Sequence, residues 1–151
     1  MTAAGGAEQT VASAINRAAG GRPIPGNQVE LLIDGPCAYD AMLDVITNAT
    51  RWIHFENYII RADSAGRRFA DLLARRARDG VHVRVLYDGL GSIGTPRASW
   101  RALREAGVDV RAFRPLSPID LVSNLSRNHR KLVVADGSRG VIGGLCIGCE
   151  W

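Results

Sequence analysis

The chain has 151 residues, 46% of them apolar and 23% charged, with a formal net charge of +4. That length fits one domain and suffices to bury roughly two-thirds of the unfolded surface. No stretch approaches the roughly twenty apolar residues of a membrane-spanning helix, and MTAAGGAEQT lacks the basic region and apolar core of a signal peptide. The sequence therefore reads as intracellular, meeting lipid, if at all, from the surface.

In chain order, residues 1–7 read as a disordered Ala/Gly-rich tail and residues 8–19 as a short helix ended by Gly20-Gly21. Pro23-Ile24-Pro25-Gly26 is a rigid connector. The organisation is thus a tail and short helix over 1–24 and a domain over 25–151. Val29 to Ile33 reads as an apolar strand closed by Asp34-Gly35-Pro36. Tyr39, Met42, Leu43 and Ile46 share one face at helical spacing. Trp52 to Ile60 is the next strand. Phe69, Leu72, Leu73 and Ala77 mark an amphipathic helix; the arginines around it read as a solvated face, and Gly80 as its stop. Val81 to Val85 alternates like a strand with one wetter face. Trp100, Leu103 and Ala106 suggest another helix, and Val108 to Phe113 another strand. After Pro115, a loop of Ser, Pro, Asp and Asn leads to His129. A strand at Leu132–Ala135, a turn at Asp136-Gly137-Ser138 and a strand at Val141–Ile142 then form a hairpin. Strand-helix alternation implies an α/β protein with a mostly parallel, mixed sheet flanked by helices.

The chemistry concentrates in SRNHRKLVVADGSRGVIGG. Lys131 is the single lysine among nineteen basic residues, two positions after His129 and five before Asp136. If His129 and Lys131 lie on a strand, they point the same way and Arg130 the other. One imidazole and one ammonium then meet one phosphate. Neutral imidazole is a competent nucleophile, and the ammonium offers three donors to non-bridging oxygens. Asp136, beyond the strand, reads as an anchor of the turn or an orienting group. Glu56, alternating with Tyr58 on one face of its strand, is a further candidate. His54 and His82 begin no second motif, and His82, between valines, faces outward. Cys146-Ile147-Gly148-Cys149 has no second cysteine pair, so no metal and no cofactor is expected; the three thiols read as small, semi-buried groups.

His-x-Lys followed by four residues and Asp resembles the signature of the phospholipase D superfamily. PGNQVELLIDGPCAYDAMLDVI, RWIHFENYII, GVHVRVLYDGLGS and NHRKLVVADG are similar to the N-terminal half of bacterial cardiolipin synthases. The resemblance implies an α/β sandwich with the motif near the sheet centre. It implies catalysis by His129, Lys131 and Asp136 through a phosphohistidine, with a second motif protonating the leaving alcohol. Lys131, Gly143 and Gly144 would bind substrate, with Glu56 beside them. The superfamily often places an asparagine three positions after the first glycine of that pair; here Cys146 stands there.

Three functions compete. A phosphatidyltransferase would take a phosphatidylglycerol-like phospholipid, act at the cytoplasmic side of the membrane as a peripheral protein, and draw its second motif from a C-terminal half. A single-motif nuclease would pair two identical chains to unite two histidines; the positive charge suits nucleic acid as well as headgroups. A non-catalytic half-site would bind without turnover. The first is favoured, because the likeness extends on both sides of the motif, and nucleic acid ranks behind phospholipid.

Overall fold

The structure, a computed structural model, describes residues 4–21, 24–115 and 126–151. The expected loop over 116–125 and Pro23 of the connector lie outside the described residues. The chain divides into two compact units, Met1–Leu31 and Leu32–Trp151.

The first unit carries α1 (Ala4–Ala19), so the helix begins within the stretch read from sequence as a tail. Val11 and Ile15, one turn apart, are exposed. The strand expected at Val29–Ile33 does not form: Val29 is 90% exposed, and the five described strands include none from this stretch. A run rich in β-branched and other apolar residues suits an extended chain, but a strand also needs an edge to bond to, and sequence pattern does not report one.

In the second unit, α2 (Gly35–Thr47) starts at Asp34, whose side chain caps the Cys37 amide at 3.0 Å. Then come β1 (Trp52–Asn57), α3 (Ser64–Arg78), β2 (His82–Asp88), α4 (Arg97–Glu105), β3 (Asp109–Phe113), β4 (Leu132–Ala135) and β5 (Arg139–Ile142). Gly80, at φ 91°, ends the α3 turn in a backbone region that glycine adopts without strain. The expected Trp52–Ile60 strand splits into the β1 ladder and one isolated bridge, Ile60 to Ile147.

The sheet order is β3-β2-β1-β4-β5. β1, β2 and β3 are parallel neighbours, β4 runs antiparallel to β1, and β5 antiparallel to β4. Ile53, Phe55, Val83, Val85, Val110, Val133 and Ala135 alternate onto one face and join one core with Met42, Ile46, Phe69, Leu73 and Trp100 from the helices. Burying a side chain of this size stabilises by about 1.5–3 kcal/mol before entropy is counted. On the opposite face His54, His82, Arg84 and Ile142 are exposed, while Glu56, Leu86, Leu132 and Val134 are half-buried.

Candidate active site at the edge where four strands meet

Because β1, β2 and β3 are parallel, their C-terminal ends reach one edge of the sheet. β4 is antiparallel to β1, so its N-terminal end arrives at that edge too. Tyr58 after β1, Asp88 ending β2, Phe113 ending β3 and Asn128 to Lys131 before β4 therefore converge, although they lie far apart in sequence. His129 and Lys131 precede the ladder, which starts at Leu132 as expected, so the strand geometry that would point both side chains the same way does not govern them.

Asp88 is fully buried and organises this edge. One oxygen accepts from the Leu90 and Gly91 amides at 2.9 Å each, and the other from the Asn128 amide at 3.0 Å. Arg127 approaches to 3.5 Å. A carboxyl group removed from water must find hydrogen-bond partners in its place, and here they are the β2 turn and the segment leading into the motif. The Asp88-Gly89 pair after an alternating strand is a turn signal available in the sequence, but its partner across the chain is not.

Tyr58 joins the two motif residues. Its ring centroid lies 4.7 Å from that of His129, and the Lys131 ammonium sits 5.3 Å from it, within cation–π range. Ser92 holds the tyrosine backbone, its hydroxyl donating to the Tyr58 carbonyl at 3.2 Å and accepting from the Ile60 amide at 3.1 Å. Gly91 packs so closely that a Cβ there would fall 2.4 Å from the Tyr58 carbonyl oxygen and 2.8 Å from its ring. His129 is exposed, whereas Lys131 is 3% exposed and donates to the His129 carbonyl at 2.9 Å.

Glu56, half-buried, accepts from the side-chain amide of buried Asn128. The Asn128 side-chain oxygen, Oδ1, in turn accepts from the Arg130 amide at 3.3 Å. Glu56, Asn128, His129 and Arg130 line an open cavity of about 560 Å³ together with Leu86, Phe113 and Arg127. Asn128 went unnoticed in the sequence, although it directly precedes the motif histidine.

Asp136 stands at the other end of β4. Its oxygens accept from the Thr50 amide at 2.7 Å, the Thr50 hydroxyl at 2.9 Å, the Arg51 amide at 2.8 Å and the Trp52 amide at 2.9 Å. Hydrogen bonds from the Trp52 and Thr50 amides hold its carboxyl far below the usual carboxylate range. The structure thus joins Asp136 to the start of β1 and brings it to neither His129 nor Lys131. The Gly143 amide donates to the Lys131 carbonyl at 3.1 Å, which sets this glycine beside the motif. A Cβ on Gly143 or Gly144 would meet nothing within 4 Å.

The His54 ring lies tilted beside that of Trp52, centroids 4.6 Å apart, and His82 is exposed. Cys146 is buried, and its carbonyl takes the Tyr39 hydroxyl at 2.7 Å. Cys37 and Cys149 are exposed, unlike the semi-buried thiols expected. Among the described residues no group of three or more His, Cys, Asp and Glu side chains could hold a metal ion, and no helix is long and apolar enough to cross a membrane.

A mixed α/β sheet with an H-x-K-x-x-x-x-D segment entering the strand beside its centre is a phospholipase D-like architecture. A family described as "Cardiolipin synthase, PLD-like domain" matches residues 42–148, and the chain belongs to that family. Over 125 residues it is 42% identical to a cardiolipin synthase of Oceanobacillus iheyensis, covering 83% of this chain and 26% of that protein. The major cardiolipin synthase ClsA of Bacillus subtilis is 42% identical over 127 residues, with the same coverages of 83% and 26%. The chain thus spans about a quarter of the length of these relatives. A phospholipase D family member, Nuc from Salmonella typhimurium, aligns at 23% identity and a TM-score of 0.45 over 63% of this chain and 55% of that one; a likeness this loose carries no argument.

Proposed function

We propose that residues 25–151 form one half-site of a cardiolipin synthase-like phosphatidyltransferase, acting on phospholipid at the membrane surface. The observation that carries this reading is the 42% identity to cardiolipin synthases over a stretch that includes the motif. His129 is the nucleophile: its exposed ring faces the cavity, with a Tyr58 ring to fix its plane. Lys131 spends one donor on the His129 carbonyl and has further N–H bonds for the non-bridging oxygens of a phosphodiester. Gly143 and Gly144 leave room beside it. Asp136 acts at a distance, as a positioning residue that fixes where β4 begins and ends against β1.

In this reading a ring nitrogen of His129 bonds to phosphorus as the leaving alcohol departs, and an incoming alcohol or water releases the product. A second histidine, from a further segment of chain or a second copy, protonates the leaving alcohol. Such proton donation is worth about 10² to 10⁴ in rate. The test is release of nitrophenolate from an activated phosphodiester by the chain and by His129→Ala. Nitrophenolate leaves without being protonated, so the first half-reaction does not require the second histidine. A stoichiometric burst that vanishes in His129→Ala is the expected result. Equal bursts in both would remove the motif from the mechanism.

A further inference from the structure

We propose that the loop joining β2 to α4 is a membrane anchor: Leu90 and Ile93 enter the apolar margin of an anionic phospholipid surface, while Arg97 and Arg130 lie against its headgroups. This rests on the preceding reading of a phospholipid substrate and adds how the site edge meets the surface that carries it.

The first argument is the inverted polarity of the loop. Ser92 and Thr95 are buried, whereas Leu90 and Ile93 are exposed, Ile93 to 67%. Exposed apolar residues scattered singly are ordinary. Ile142 is such a case, because a strand must turn alternate side chains outward. No period binds a loop, where polar side chains ordinarily take the wet side. Here the hydroxyls are drawn inward. Ser92 holds the Tyr58 carbonyl and the Ile60 amide, and Thr95 donates to the Ile60 carbonyl.

The second argument is stiffness. The Ser92 amide donates to the Asp88 carbonyl at 3.0 Å, the Ile93 amide to the Leu90 carbonyl at 3.1 Å and the Thr95 amide to the Ser92 carbonyl at 3.0 Å. The apolar tip is therefore shaped before any contact, and docking loses little ordering entropy.

The third is place. Gly91 packs on Tyr58, and Asp88 ties the Leu90 and Gly91 amides to that of Asn128, next to His129. An interfacial anchor sinks roughly 5–10 Å into the boundary between headgroups and acyl chains. His129, on the same edge, then stands at the depth of the phosphates.

The fourth is charge. Arg97, in the first turn of α4, and Arg130 are exposed, and neither is in an ion pair among the described residues. A cation in the first turn of a helix opposes the macrodipole. Helix stability therefore does not account for Arg97, whereas an anionic surface gives it a partner.

The experiment is co-sedimentation of the full chain with vesicles of phosphatidylcholine containing phosphatidylglycerol, and with phosphatidylcholine alone. It involves no turnover, so its failure is separate from that of the nucleophile, which the nitrophenolate burst reads. We expect the unaltered chain to bind the mixed vesicles. Ile93→Asn should lower partitioning roughly tenfold, the weight of one buried apolar side chain. Arg97→Gln should lower it roughly fivefold, on the mixed vesicles only. Ile142→Asn, on the open sheet face, should leave it unchanged. Urea midpoints by circular dichroism check that each variant is folded, and Leu90→Asn repeats the test should Ile93→Asn unfold. An unaltered chain that does not bind overturns the proposal, as does an Ile93→Asn chain that binds equally well. An equal loss in Ile142→Asn makes the contact general and overturns it too. If light scattering shows a dimer that Ile93→Asn dissociates, the loop is an interface between copies and the anchor is refuted.

Discussion

Asp88→Asn is the most informative perturbation of the sheet edge, because it changes almost no volume. The carboxylate divides its work: one oxygen serves Leu90 and Gly91, the other Asn128. An asparagine has one acceptor oxygen and must abandon one side, turning an NH₂ group toward a buried N–H. Losing an acceptor at a fully buried position costs about 1–3 kcal/mol, and the surviving bonds lose their charge assistance at about 1 kcal/mol more. The attraction across 3.5 Å to Arg127 also weakens. The sum is about 2–4 kcal/mol, a large share of the roughly 5–15 kcal/mol that keeps a domain of this size folded. With a urea slope of about 1–3 kcal/mol per molar, the midpoint should drop by roughly 1–2 M. Circular dichroism in urea reads it directly. The nitrophenolate burst should also slow in protein that remains folded, because Asn128 and His129 lose their tether. A midpoint within about 0.3 M of the unaltered chain would show that the Asp88 bonds are exchanged for water at no cost, and would refute the argument.

Two more expectations concern the motif. Lys131→Arg keeps the charge but replaces a compact ammonium, packed against the Tyr58 ring and the His129 carbonyl, with a planar fork that cannot occupy the same buried space. The burst rate should fall at least tenfold, and a stopped-flow trace equal to that of the unaltered chain would contradict the packing argument. Asp136→Asn tests linkage. The folded carboxyl is held below its unfolded value of about 3.9, so its contribution is complete above that pH and is lost as pH falls below it. Asparagine tolerates the left-handed backbone at φ 56°, so the substitution isolates the charge. The variant should be less stable at pH 7, and the gap should narrow when urea midpoints are compared at progressively lower pH below about 4. A gap that is constant with pH would place the stabilisation elsewhere.

Much of the fold is legible because local periodicity and tertiary packing agree. Met42, Leu43 and Ile46 face the core as their spacing implies, and the expected hairpin forms, its second strand starting at Arg139 rather than Val141. Pattern fails where the deciding partner is distant. Val29–Ile33 is apolar like a strand but has no ladder to join. The strand at Leu132–Ala135 forms where expected, but His129 and Lys131 lie before it, and it is Tyr58 that gathers them. Asp88 and Asn128 are each visible as polar residues beside structural landmarks. Their bond exists because β4 inserts next to β1, a pairing set by the whole core and encoded in no local spacing. Asp136 is readable as an anchor, but Thr50, Arg51 and Trp52 are not readable as what it holds.

β4 has four residues, few enough that its own ladder resists sliding weakly. A shift of one residue would turn Val133 and Ala135 outward and carry Leu132 and Val134 into the core. Two aspartates stand beyond its ends, Asp88 gripping the amide of Asn128 and Asp136 gripping the amides of Thr50, Arg51 and Trp52. They work as end-stops, setting the axial position of the strand from outside it. The gauge of the site, how far His129 projects past the end of β1, is then independent of which β-branched residues fill the strand between them. Sequence drift within Leu132–Ala135 can retune the core without moving the imidazole, whereas a change at either stop displaces it.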